Sequence, residues 1–133
     1  MNTPANFLPG YRIRACYSDT DAAGVIHHAR LLELFERGRT EWLESIGAGP
    51  MTLSSINLLL VIREITLRFH RPGRLNDILI FTHRITKLGN SQFVLDQGIY
   101  RNNGDDPLPG DEDCLASASF HIVCVSADNM KSQ

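Results

Sequence analysis

The sequence predicts an α+β fold, with one long helix packed on a five-stranded antiparallel sheet. Apolar periodicity is helical only once, over residues 29–46, and is strand-like in five other runs. Short links between the later runs favour antiparallel pairing. One helix against one sheet is an α+β arrangement. The chain's 133 residues suit one domain, 1–133, with one core.

The elements follow in order. Residues 11–17, YRIRACY, alternate apolar and polar as a half-buried strand does. Residues 29–46 then carry Leu31, Leu34, Phe35, Gly38, Trp42 and Ile46 at spacings of three and four, one apolar stripe of a helix. Gly38 lies on that stripe, where it costs roughly 1 kcal/mol of helix propensity relative to alanine. Its use there is to let a strand approach closely. Gly47 and Gly49-Pro50 end the helix. Residues 58–70 are long and rich in β-branched residues, and Arg71-Pro72-Gly73 breaks the run. Residues 77–87 and 92–101 are the next strands, parted by a turn at Leu88-Gly89-Asn90. A loop with Gly, Pro and acids spans residues 102–113, and residues 114–125 form the last strand. One helix covers part of such a sheet, and a second subunit is the simplest cover for the other face.

Composition excludes several classes. The chain is 43% hydrophobic and 21% charged with a net charge of −2, so no broad attraction to nucleic acid or anionic membrane is expected. The N-terminus lacks a basic and an apolar region, and no apolar run is long enough to span a membrane. Cys16, Cys114 and Cys124 are odd in number and lack paired spacing, which reads as reduced thiols in a cytoplasmic protein.

The stretch YSDTDAAGVIHH, residues 17–28, is the richest in chemistry. It links the first strand to the helix, so His27-His28 fall at the helix start, where free N–H groups and the helix dipole favour negative charge. Such a terminus can stabilise an oxyanion. Gly24 allows a tight turn and leaves room for a ligand. Asp21 could face the same space, as a general base on water or as a nucleophile toward an activated acyl carbon. The residues alone leave two alternatives open. Asp19 or Asp21 could cap N–H groups. A metal could use Asp19, Asp21, His27 and His28, although neighbouring helical residues point about 100° apart, and no HExxH or cysteine pair supports it. No cofactor motif (GxGxxG or P-loop) is present.

The stretch YSDTDAAGVIHHARLLELFERGRTEWL resembles the signature of the 4-hydroxybenzoyl-CoA thioesterase-like branch of hot-dog fold proteins. Within that branch it is most similar to the Tol-Pal-associated acyl-CoA thioesterases. VIREITLRFHRPGRLNDIL and FHIVCVSADNMK extend the likeness over about residues 11–130. The resemblance implies a hot-dog fold, a curved five-stranded antiparallel sheet wrapped around one long central helix. It implies acyl-CoA as substrate, and homodimers or homotetramers with active sites at subunit interfaces. It puts the catalytic carboxylate on Asp21 and the oxyanion-binding backbone N–H on His28. Gly24 and Val25 would line the acyl and thioester path, with His27 a pocket residue. The family usually carries Tyr where His27 stands and a small polar residue where Arg30 stands. Arg71, Arg74, Arg84 and Lys87 are candidates for CoA phosphates, because a negatively charged chain needs local cations; the alternative is solvated strand ends. Non-catalytic binding of acyl-CoA or an acyl carrier remains a second class of function, and a pathway-specific aromatic or carrier-protein thioesterase a third.

Overall fold

The computed structural model describes residues 7–104 and 109–133. The elements are β1 (Ile13–Arg14), α1 (His28–Ser45), α2 (Pro50–Ser55), β2 (Leu58–Phe69), β3 (Ile78–Leu88), β4 (Gln92–Arg101) and β5 (Cys114–Ser126). All strand pairings are antiparallel, in the spatial order β1-β3-β4-β5-β2. The sheet therefore begins and ends with the strands that flank the helices in sequence, and α1 fills the space between.

The apolar stripe of α1 forms the core with the sheet. Leu31, Leu34 and Phe35 are buried against Phe81, Leu95, Ile99, Phe120 and Ile122. Gly38 has the predicted role: a Cβ there would meet Phe81 Cδ2 at 2.8 Å and His83 Nε2 at 3.3 Å. Trp42 stacks on His83 at 5.6 Å between ring centroids. Deeper in, Gln97 donates to the Phe35 carbonyl at 3.0 Å and accepts from Arg39 at 2.9 Å, tying the helix to β4. The Arg39 guanidinium also lies 4.5 Å over the Phe120 ring.

Three features differ from the sequence reading. β1 is much shorter than residues 11–17, because the chain turns at Tyr17–Asp19 into a single 3-10 turn. Pro50 stands at the start of α2 rather than only past the end of α1; its fixed φ suits a first helical position. Ile46 is exposed and Leu43 is buried in its place. In the predicted loop 102–113, residues 105–108 lie outside the described residues, as does most of the N-terminal stretch. Among the described residues, no helix is long and apolar enough to cross a membrane. Cys16, Cys114 and Cys124 are free thiols.

Candidate active site

The loop between β1 and α1 is built by its own polar side chains. The Asp21 N–H donates to the Val25 carbonyl at 2.9 Å, and the Gly24 N–H to the Asp21 carbonyl at 3.0 Å. Gly24 sits at φ +77°, which a side chain would strain. The Asp21 Oδ1 accepts the Ala23 N–H at 2.8 Å and the Val25 N–H at 3.1 Å. These backbone donors, that of Val25 foremost, hold the Asp21 carboxyl below its ordinary range although it is exposed. The turn is fastened from outside by Leu75 N–H to Gly24 O at 3.0 Å and Ile26 N–H to Gly73 O at 2.8 Å. Gly73 must be small here, because a Cβ would lie 2.6 Å from Ile26 Cδ1.

Asp19 has a different environment, with only 4% of its surface exposed. Its Oδ2 accepts the Cys16 N–H at 2.8 Å, and its Oδ1 accepts Arg30 Nε at 2.6 Å. Its carbonyl takes the His27 N–H at 3.1 Å. His27 is the N-cap of α1 in extended conformation, and no side chain caps the helix there. The first ladder bond runs from Leu31 N–H to the His27 carbonyl at 3.1 Å. The N–H groups of His28, Ala29 and Arg30 are thus the open, positive end of the helix. The His28 ring lies 4.6 Å from that of Phe69, so the helix start sits beside the end of β2.

Asp21, Gly24, Val25 and His27 thus lie on one loop that leads directly into α1 at His28. Arg74 adjoins it through an isolated bridge to Val25. Arg71 is turned to the start of β5, where its Nη1 donates to the carbonyls of Asp111 at 3.2 Å and Cys114 at 2.8 Å. Lys87 is not brought to the junction within one chain: it lies nine residues along β3 from Ile78, roughly 30 Å at ~3.3 Å per residue. The Asp19–Arg30 pair and the Phe69 ring were missed from sequence. Among the described residues, no three His, Cys, Asp or Glu side chains gather as metal ligands. A cavity of about 200 Å³ opens between α1, α2 and β2, lined by Glu36, Arg39, Leu43, Leu60 and Ile62. Asp21 does not line it, and its nearest helical residue, Glu36, is about 12 Å along the axis from His28.

A fixed, ionised carboxylate beside uncapped helix N–H groups can direct water, or its own oxygen, at an acyl carbon while the N–H groups hold the developing oxyanion. This class is an acyl-transfer hydrolase on a sheet wrapped around one helix. The chain belongs to the thioesterase superfamily, whose family model matches residues 23–108, and its architecture is that family's hot-dog fold. It is 33% identical over 131 residues to the acyl-CoA thioester hydrolase YbgC of Escherichia coli O6:H1, covering 98% of this chain and 90% of that one. It is 31% identical over 99 residues to the 1,4-dihydroxy-2-naphthoyl-CoA hydrolase of Thermosynechococcus vestitus, covering 74% and 68%. Among solved structures, a probable thioesterase from Bartonella henselae superposes with a TM-score of 0.73 at 30% identity, over 92% of this chain and 93% of that one.

Proposed function

We propose that this protein hydrolyses acyl-CoA thioesters to a carboxylic acid and free CoA, with Asp21 and the His28 backbone N–H as its working groups. The observation that carries the reading is the shared junction: a carboxylate held ionised two residues from Asp19, and a helix start with no cap. Thioesters suit so modest a site, because their carbonyl is weakly stabilised by resonance and thiolate leaves readily. In one route Asp21 takes a proton from water as the water oxygen bonds the acyl carbon. The C–S bond then breaks, and CoA leaves as thiolate. In the other route Asp21 attacks the carbon, CoA leaves, and water opens the resulting anhydride. In both, the His28 N–H donates a hydrogen bond to the oxyanion. Gly24, Val25 and His27 border the thioester. Arg74 is the cation best situated for a CoA phosphate, with Arg71 behind it; Lys87 would have to act from a second copy.

The functional unit on this reading is a dimer or tetramer. Among the described residues β2 pairs on one side, with β5, and exposes Leu59, Ile62, Ile65 and Phe69. An exposed apolar edge of this kind favours pairing with another chain. Three free thiols support work in the reducing cytoplasm. The likeness to the 1,4-dihydroxy-2-naphthoyl-CoA hydrolase supports a second reading, an aromatic acyl group. The test is a panel of short, long and aromatic acyl-CoAs with thiol detection. Release of CoA that vanishes in Asp21→Asn is expected; inactivity on the whole panel, or an unchanged Asp21→Asn rate, overturns the proposal. Tight binding without turnover would make the chain a binding module instead.

A further inference from the structure

We propose that Arg30 is a positioning residue for this reaction: through buried Asp19 it ties the loop that carries Asp21 to the first turn of α1. The inference rests on the thioesterase reading above and adds a residue to it. Arg30 is the third residue of α1, at the positive end of the helix, where a cation is disfavoured. Something must compensate, and two carboxylates do. Asp19 Oδ1 lies 2.6 Å from Arg30 Nε, and Glu33 Oε1 lies 2.9 Å from Nη1. Two negative charges against one positive leave no surplus cation for an oxyanion, so the contribution of Arg30 is geometric rather than electrostatic.

The geometry is that of a clasp. Asp19 is 4% exposed, and a buried carboxylate needs partners. Among the described residues its side-chain partners are the Cys16 N–H on the strand side and Arg30 on the helix side. Its carbonyl holds the His27 N–H, the residue just before the open helix donors. Residues 20–26 are thereby closed into a loop whose two ends both meet at Asp19. Asp21 lies two residues inside that loop, and its own Oδ1 bonds to Ala23 and Val25 depend on the loop's shape. Removing Arg30 would strip Asp19 of its cation and draw it toward water, freeing the carboxylate that does chemistry to move relative to the N–H of His28. The Glu33 bond is exposed and lies on α1 alone, so it steadies the guanidinium without joining the two bodies.

The experiment compares wild type with Arg30→Ala, Arg30→Lys and Glu33→Gln on the best acyl-CoA of the panel. In Arg30→Ala, kcat is expected to fall about 10- to 100-fold, the effect of misplacing a reacting group by about an ångström, while KM stays within about two-fold. The acid limb of its pH profile moves up toward the ordinary carboxylate range, as the Ala23 and Val25 donors loosen; His27 is the other titratable group facing Asp21 and is unchanged by the substitution. Arg30→Lys restores most of the rate, and Glu33→Gln leaves it near wild type. Hydrogen exchange of residues 20–28 reads the tie without turnover, and rises in Arg30→Ala. An unchanged kcat, a raised KM at constant kcat, or a rate loss that disappears below the variant's unfolding range overturns the proposal. Should Arg30→Ala not fold, Arg30→Gln decides by the same kcat, pH and hydrogen-exchange readouts, since it removes the charge held by Asp19 while keeping a side chain of similar length. An inactive wild type defeats the thioesterase reading and the positioning role together, whereas an active wild type with normal Arg30 variants defeats only the positioning role.

Discussion

Acidification should destabilise this fold through His83, and the size of the effect can be worked out. His83 is 4% exposed, beneath α1. Neither ring nitrogen has a hydrogen-bond partner among the described residues. Burial, with a smaller contribution from nearby Arg39, lowers its pKa from 6.5 to about 4, partly offset by the Gly38 backbone. The unfolded chain therefore takes up this proton first as pH falls. Stability is unaffected by it above about pH 6.5 and is lost progressively down to about pH 4. A drop from 6.5 to about 4 corresponds to about 3 kcal/mol at the acid end, a large share of a typical folding free energy. Urea denaturation at pH 7, 5.5 and 4.5 reads it directly. His83→Leu lacks the titration; its baseline stability shifts through the lost Trp42 stack, but its slope with pH should be shallower than wild type by about that amount. Carboxylates titrate alike in both proteins and cancel in the difference. Parallel pH slopes would refute the reasoning, by showing that the imidazole finds a partner or reaches water.

Asp21→Asn should lower kcat by roughly 10²–10⁴ and leave the urea midpoint nearly unchanged, because the side chain is exposed; thiol release and denaturation on the same samples check both. With Asp21 held low, the acid limb of kcat/KM should lie below the ordinary Asp range near 3.8, measured within the pH range where the fold survives. Gly38→Ala would be stabilising by about 1 kcal/mol in an open helix, but its Cβ would press on buried Phe81, so a net loss of about 1–2 kcal/mol is expected by urea titration. Gln97→Leu removes the acceptor from half-buried Arg39 and the donor from Phe35 O, and should cost about 2–4 kcal/mol in the same assay.

What the sequence made legible was local and periodic. The stripe of α1, the alternation in β3 and the breaks between strands need only neighbours within a turn or two. The loop's catalytic role was open from spacing alone, because an aspartate before a helix is also an ordinary cap. Contacts between segments were not legible. Asp19 and Arg30 are 11 residues apart and meet only because the loop folds back. Glu33 pairs with Arg30 at i,i+3 spacing, a choice among helix neighbours that spacing alone leaves open. Likewise His28 meets Phe69 only because β2 runs back to the helix start, a matter of strand order. Lys87 reads as one more basic residue in sequence, and only strand length separates it from Arg74.

The lowered pKa of Asp21 stands at odds with a role as base, since a carboxylate that gives up its proton so readily also takes one up weakly. The resolution lies in which causes are fixed and which are not. The Ala23 and Val25 bonds both fall on Oδ1 and come from the loop's own backbone, so they persist through turnover. They fix the carboxylate's plane and leave Oδ2 for water or the acyl carbon. Exposure, by contrast, is a property of the unliganded chain. On the proposed reading, a substrate settling over residues 21–28 would remove water from Asp21, and desolvation acts on its pKa in the opposite direction to the backbone donors. The same step shields the open N–H groups at the start of α1 from water and strengthens their hold on an oxyanion. On that reading base strength and oxyanion binding would rise together on docking, and before docking the proposed Asp19–Arg30 tie would keep Asp21 in register.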